Sequence, residues 1–425
     1  MEATPGGARR PWYLQLHWQI LVAMALGVAA GALGGVGAAE RVGWLGTLFV
    51  QALKMVIVPL VVTSIISGVA SVGGGRAFGR LFGKTLGYYV ATSLCAILVG
   101  LVLTNLIRPG AGIDLAGAQG ETLPQELATP SGPADLLLSL VPHNFFEAAS
   151  KPDMLGLIFF SILFGVALGA LDVKARAPVV TFFDGAFQAM MKLTGFVLLA
   201  APIGVFGLMT RAVATFGLDA FRAMALYMAT IAIGLTIHLG LTLPAALRFL
   251  GGIRPIVHFR NVADALALAF STSSSAATLP VTMSAVERKV GVSNRISSFV
   301  LPMGATVNMD GTALYECAGV LFIAQALGID LTFAQQALVV LTALLASIGA
   351  AAVPSAGLVI IFIVLEAVGL RGPQVEALVG FMLAVDRPLD MYRTAVNVAS
   401  DSCGAAIIAR SEGETGVDER VVADA

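Results

Sequence analysis

The chain has 425 residues, 57% of them hydrophobic and 12% charged, with a formal net charge of −1. Soluble domains carry about 25% charged residues, so the composition excludes an ordinary soluble domain and points to an integral membrane protein. Near-neutral charge argues against a nucleic-acid partner. Three widely spaced cysteines in apolar runs and four scattered histidines give neither a disulfide framework nor a metal pair.

After a short polar segment, 1–14, the first half reads as six apolar spans at about 15–37, 45–72, 84–107, 155–172, 181–212 and 217–250. Helical spans need roughly 20 apolar residues each. No small-residue cleavage site follows the first run, so it is expected to remain as a span. Basic residues sort the connections: Arg9 and Arg10 before the first span, then Arg76, Arg80 and Lys84 after the second. Lys174 and Arg176 follow the fourth, and Arg248, Arg254 and Arg260 the sixth. The long segment 108–154 is mostly acidic instead, with Asp114, Glu121, Glu126, Asp135, Glu147 and Asp153. The positive-inside rule then puts the N-terminus and the even-numbered connections in the cytoplasm. The acidic tail, 411–425, is expected to be a disordered cytoplasmic end.

The second half, 251–410, is organised differently. Its apolar stretches at 261–286 and 331–369 are interrupted by small-residue tips with a proline, Ser271 to Pro280 and Gly349 to Gly357. Non-helical backbone at membrane depth is tolerated only inside protein or beside a water-filled cavity. A pair of broken segments in corresponding places points to a transporter binding site built from repeats. The plainer alternative is two full helices with small-residue packing patches. A polar-cored helix follows each broken segment, so the pattern of broken hairpin and polar helix occurs twice.

The second polar helix carries Asp386, Asp390, Arg393, Thr394, Asn397 and Asp401. At about 100° per residue these fall within a sector of roughly 100°, and Arg387 lies off its centre. Facing lipid, each charge would cost about 2.5–3.5 kcal/mol even on the lenient insertion scale, so the stripe must face protein, water or a ligand. A buried ion-pair ladder is the structural alternative, poorly rewarded as a source of stability. Arg393 suits a carboxylate, because a guanidinium fork matches it bidentately. Asp390, one turn away, suits an ammonium, and Thr394 and Asn397 add neutral contacts. Together they suit an amino acid with an acidic side chain.

In the first polar helix, Gly304 and Gly311 flank Asn308, Asp310 and Thr312. Glycine permits unwinding there, and exposed carbonyls with a carboxylate make a hard oxygen site for a small cation such as Na+. Glu316, one turn beyond Thr312, is either a proton carrier or a structural hydrogen-bonding group. Tyr89, Thr92 and Ser93 in the third span read as packing when taken alone. The serines at 271–275 offer hydroxyls and amides to a carboxylate. No histidine or lysine accompanies them on that tip and no Gly-x-Ser-x-Gly occurs there, so an enzyme is not expected.

Three stretches in this order, SSSAATLP (273–280), NMDGTALY (308–315) and DMYRTAVNV (390–398), resemble the dicarboxylate/amino acid:cation symporter family, which includes excitatory amino acid transporters and archaeal aspartate transporters. The resemblance covers essentially the whole chain. It implies an all-α membrane protein of eight transmembrane helices and two re-entrant helical hairpins in inverted repeats. It also implies a homotrimer in the cell membrane, both termini cytoplasmic, working by an elevator movement. Spans 1, 2, 4 and 5 would form the scaffold, and spans 3 and 6 would join the transport core. That core comprises hairpin 1 at about 258–291, span 7 at about 296–327, hairpin 2 at about 331–369 and span 8 at about 373–410.

The same resemblance implies substrate contacts at Ser274, Ser275, Thr312, Asp390, Arg393, Thr394 and Asn397, and at Val353 and Gly357 on the second tip. It implies one Na+ set at Gly304, Asn308, Asn397 and Asp401. A second uses Thr306, Met309, Ser347 and Ile348, with carbonyls at Thr306 and Ser347. A third comprises Tyr89, Thr92, Ser93, Asn308 and Asp310, which lifts that segment of the third span above packing. Glu316 stands where the animal members carry a proton. The chain departs from the pattern at one place. Archaeal members have a second arginine where Ser273 stands and animal members where Met391 stands; Arg387, a turn before Asp390, is a candidate replacement at a poorer angle. The expected function is Na+-coupled, and H+-coupled, import of glutamate or aspartate. A C4-dicarboxylate symporter or a neutral amino acid carrier is the competing reading, and an anion channel or a receptor that does not transport is the competitor from another class.

Overall fold

The computed structural model describes residues 16–70, 76–112, 138, 141–150, 153–217, 220–348 and 356–418, and among them there are helices and no strands. Helix α1 runs from Leu16 to Ala70 and bends at Gly35, whose φ of 51° and ψ of −144° lie outside the helical region. Left-handed φ is open to glycine at little steric cost. The sequence reading places a break between 37 and 45; the helix instead continues through Glu40 and Arg41. Helix α2 spans Arg76–Ile107, α3 Phe145–Ser150 and α4 Met154–Gly169. The segment read as one span at 181–212 is carried by α5, Val173–Leu199, and α6, Ala201–Phe216. They meet at Ala200, where Pro202 has no N–H to continue the ladder.

Helix α7, Ala220–Ile237, passes through a wide π turn at His238–Thr242 into α8, Leu243–Leu250. A short helix α9, Pro255–Asn261, leads into two helices folded on each other: α10, Ala263–Thr272, and α11, Ser275–Ala285. The turn between them is Ser273 in the left-handed region, φ 51° and ψ 36°, followed by Ser274, whose Oγ accepts the Ala277 N–H at 3.2 Å. Ser274 is thus the N-cap that starts the second arm.

Helix α12, Asn294–Val307, and α13, Asp310–Ala326, form a helix interrupted at Asn308 and Met309, whose backbone leaves the helical region, φ/ψ −100°/91° and −121°/59°. The break falls between Gly304 and Gly311. In α13 every residue except Gln325 is buried, as suits a helix at the centre of the molecule. Helices α14, Phe333–Ile348, and α15, Ala356–Ala367, pack together, while the tip between them lies outside the described residues. Helix α16, Pro373–Ser411, packs along α10, α12, α13 and α6.

Among the described residues four helices are long and apolar enough to cross a membrane: Val22–Ala70, Gly79–Ile107, Val173–Leu199 and Arg222–Leu250. The protein is a multi-pass membrane protein. Helices α1 and α6 are its most intimate pair. A Cβ at Gly204 would sit 2.3 Å from the Phe49 ring and one at Gly207 2.6 Å from the Gly46 backbone N, the small-residue contact that lets membrane helices approach closely.

The tail after α16 differs from the expectation of disorder as far as Asp418. Val417 is buried in an apolar cluster with Val262, Val290 and Val292. Glu412 takes Arg80 Nη2 at 2.7 Å and Lys84 Nζ at 2.6 Å. An apolar residue and well-placed charge partners outweigh the acidic composition that suggested disorder. Hydrogen bonds from Arg80 and Lys84 pull the Glu412 carboxyl down to about 2. A depressed folded value stabilises the fold above the ordinary carboxyl range and is lost as pH falls through about 2. Glu412→Gln is expected to lower the melting temperature in detergent at pH 7 by roughly 1–3 °C, with the gap to wild type closing between about pH 4 and pH 2. Identical melting at pH 7 would mean the tie contributes nothing.

Candidate functional site

The polar face of α16 is buried in the molecule. Arg393, 1% exposed, donates from Nε and Nη2 to Asp390 Oδ1 at 3.1 and 2.8 Å. Its Nη1 is 3.3 Å from Asp386 Oδ1, an ion pair without hydrogen-bond geometry. The guanidinium carbon lies 4.3 Å from the centre of the Tyr315 ring, a cation–π contact that strengthens as water is excluded. Two close approaches make this arrangement possible: a Cβ at Gly311 would fall 2.7 Å from Arg393 O, and one at Gly357 2.7 Å from Arg393 Nη1. Arg387 is 38% exposed at its side chain, with Nη1 3.6 Å from Asp390 Oδ2. Asp390 therefore faces a guanidinium at each oxygen. Thr394 Oγ1 donates to Asp390 O at 2.7 Å.

The interruption before α13 is held by α16. Asn397 Oδ1 accepts the Gly311 N–H at 2.7 Å, and Asn397 Nδ2 is 3.4 Å from Thr312 Oγ1. Asn308 Nδ2 donates to Asp401 Oδ1 at 2.8 Å and to Ser400 Oγ at 3.0 Å. Gly304 belongs to the same group, since a Cβ there would lie 2.4 Å from Asp401 Oδ1 and 2.6 Å from the Tyr89 hydroxyl oxygen. The Tyr89 hydroxyl donates to Val300 O at 2.8 Å. Asp310 Oδ1 accepts from Ser93 Oγ at 2.6 Å and Thr92 Oγ1 at 3.3 Å. These groups offer carboxylate, amide and hydroxyl oxygens from three short buried stretches, 89–93, 304–312 and 397–401, the donor chemistry of a hard cation.

The remaining expected residues are spread around this centre. Ser275 is buried at the start of α11, beside the Ser274 cap. Thr306 Oγ1 and Ser347 Oγ turn back to carbonyls of their own helices, Met303 O at 3.1 Å and Leu344 O at 2.9 Å. Their helices α12 and α14 touch. Met309 caps α13, and Ile348, half-buried, ends α14. Val353 lies outside the described residues. Glu316 is fully buried, and neither of its oxygens has a hydrogen-bond partner among the described residues.

Two participants are absent from the sequence reading. His238 Nε2 lies 3.0 Å from Asp310 Oδ2, both side chains fully buried. It sits on the π turn after α7, which shifts register by one residue, so no 3.6-residue pattern reveals its direction. Tyr315, the last residue of the NMDGTALY stretch and assigned no role from sequence, is the platform beneath Arg393. Among the described residues no group of three or more His, Cys, Asp and Glu side chains could hold a metal ion.

Residues 16–411 match the model of the Sodium:dicarboxylate symporter family. The chain belongs to that family. Its members are secondary transporters, so this protein is a symporter-family transporter and not an enzyme. A proton/sodium-glutamate symport protein of Bacillus caldotenax is 35% identical over 406 residues, covering 94% of this chain and 95% of its own length. A proton/glutamate-aspartate symporter of Escherichia coli (strain K12) is 35% identical over 412 residues, 93% of each chain. Excitatory amino acid transporter 3 of Mus musculus is 34% identical, covering 96% of this chain and 88% of its own. A C4-dicarboxylate transport protein of Agrobacterium fabrum is 33% identical, covering 96% and 91%.

The Gly304 contact generates a test. Its added Cβ must displace the Asp401 carboxylate or the Tyr89 hydroxyl, at a cost of about 1–3 kcal/mol. Gly304→Ala is therefore expected to raise the Na+ concentration giving half-maximal thermal stabilisation about tenfold or more. An unchanged Na+ midpoint would contradict a cation role for this group.

Proposed function

We propose that the protein imports acidic amino acids, aspartate or glutamate, together with Na+ and a proton. The observation that carries this reading is the state of the Arg393 guanidinium. It is 1% exposed, and among the described residues its Nη1 makes no hydrogen bond, pairing with the facing Asp386 without one. Buried charges are normally hydrogen-bonded as well as paired. A substrate carboxylate on Nη1 would complete the fork, and the substrate ammonium would take up Asp390. Asn397, Thr312, Thr394, Ser274, Ser275 and the second tip at Val353 and Gly357 would supply the neutral contacts.

Na+ would be held by Gly304, Asn308, Asn397 and Asp401; by Thr306, Met309, Ser347 and Ile348; and by Tyr89, Thr92, Ser93, Asn308 and Asp310. The orphan Oδ1 of Asn308 supports the first and third sets. The proton would ride on Glu316, because an isolated carboxylate without partners at this depth is uncompensated and a proton removes that cost. In this reading eight spans and two re-entrant hairpins form inverted repeats, and the core from 251 to 410 moves as an elevator against α1, α4, α5 and α6. The assembly is a homotrimer in the plasma membrane, with both termini in the cytoplasm.

A C4-dicarboxylate substrate is the second reading, favoured by relatives of that name. Asp390 argues against it, since a dicarboxylate has no ammonium to meet that carboxylate. A neutral amino acid would leave the Arg393 fork without an anionic side chain. Uptake into proteoliposomes, with Na+ and pH gradients varied separately, distinguishes these. Labelled aspartate or glutamate is expected to accumulate with Na+ and succinate not; Arg393→Ala is expected to lower aspartate affinity by about 100-fold. Glu316→Gln is expected to remove the drive from the pH gradient alone. Accumulation of succinate without aspartate would overturn the substrate assignment.

A further inference from the structure

Residues 412–418 fold back over the base of the α10–α11 hairpin, and none of the transport chemistry above uses them. Glu414 accepts the Ser293 N–H at 2.9 Å and also bonds the Ser293 hydroxyl. Asp418, 3% exposed, donates its own N–H to Val290 O at 2.8 Å. Its Oδ1 accepts from Asn261 Nδ2 at 2.9 Å, and its Oδ2 meets His258 Nδ1. His258 Nε2 in turn lies 3.1 Å from Ser402 Oγ on α16. This Asp–His–Ser chain is no nucleophile: Ser402 is fully buried in a helix interior and donates to Ala399 O at 2.7 Å. Asp418 instead ties three bodies together, its carboxylate holding α9 and, through His258, α16, and its backbone N–H holding Val290 O. His258 and Asn261 on α9 lead into the first arm, Val290 is where the second arm leaves, and Ser402 belongs to α16.

We propose that Asp418 is a positioning residue for the hairpin tip at Ser273–Ser275, acting through His258, Asn261 and Val290. The proposal rests on the reading of that tip as part of the substrate wall. The arms are only 10 and 11 residues long, so the tip stands about 15 Å from the base. Helix α10 packs on α16 along that distance, and an angle fixed at the base is carried to the tip. Loosening the base lets the tip serines drift from the Asp390–Arg393 face, and binding loses the preorganisation it depends on.

Hydrogen exchange by mass spectrometry on the purified full chain, without substrate, tests this in wild type, Asp418→Ala and Asp418→Glu, alongside Na+-dependent aspartate binding. In Asp418→Ala, which keeps the backbone N–H on Val290, protection at residues 255–262 is expected to fall about tenfold or more, and at 286–293 and 270–278 by less, while α13 and α14 keep theirs. The aspartate Kd is expected to rise about three- to tenfold, and Asp418→Glu to recover part of both. If Asp418→Ala does not fold, Glu414→Gln gives the same pattern in weaker form. Unchanged protection at the base would overturn the proposal. So would a loosened base with unchanged tip protection and Kd, or an equal loss across all helices. A wild type that binds no aspartate counts against the proposed substrate alone, because tip protection still judges Asp418.

Discussion

A guanidinium buried in the middle of a membrane protein is the constraint around which the rest is arranged. Arg393 cannot be left alone at that depth, and every element near it answers a need it creates. Asp386 and Asp390 on its own helix balance the charge, Tyr315 on α13 offers a ring face, and Gly311 and Gly357 remove the Cβ atoms that would collide with it. Two aspartates around one arginine leave the group net negative until Arg387 is counted, and its 3.6 Å approach to Asp390 brings the array to neutrality. A neutral array that leaves hydrogen-bonding positions open among the described residues suits a ligand, whereas a fully bonded one would suit only a structural lock.

The interruption of α12 and α13 follows from the same logic. Non-helical backbone at Asn308 and Met309 frees polar groups that a continuous helix would consume. Asn397 and Asp401, one and two turns beyond Arg393, take up the Gly311 N–H and the Asn308 amide. One helix therefore supplies both the buried arginine and the supports of the oxygen-rich break. In the proposed function a ligand that moves α16 would be felt at the break, and a cation at the break would be felt by α16. Coupling between two solutes needs such a shared element.

Much of this was legible in the sequence because helical geometry is periodic. Residues at steps of three and four share a face, so the stripe from Asp386 to Asp401 could be drawn before any fold was known, and Gly304 and Gly311 bracketed the break. The serine run similarly marked the turn of the first hairpin, though not that Ser273 takes the left-handed backbone conformation. What periodicity could not reach were departures from it. The π turn aims His238 at Asp310, Gly35 bends α1 ahead of the expected gap between 37 and 45, and Ala200 divides one apparent span into two. Composition misled at the tail, where acidic residues read as disorder. Glu412 and Asp418 have partners some 330 and 160 residues away in the chain, and no local rule finds those.

The most direct test is a structure determined with aspartate and Na+ bound. The ligand's side-chain carboxylate is expected within hydrogen-bond distance of Arg393 Nη1, with its ammonium at Asp390. Aspartate seated elsewhere, with Nη1 still facing only Asp386, would contradict the role given to the arginine.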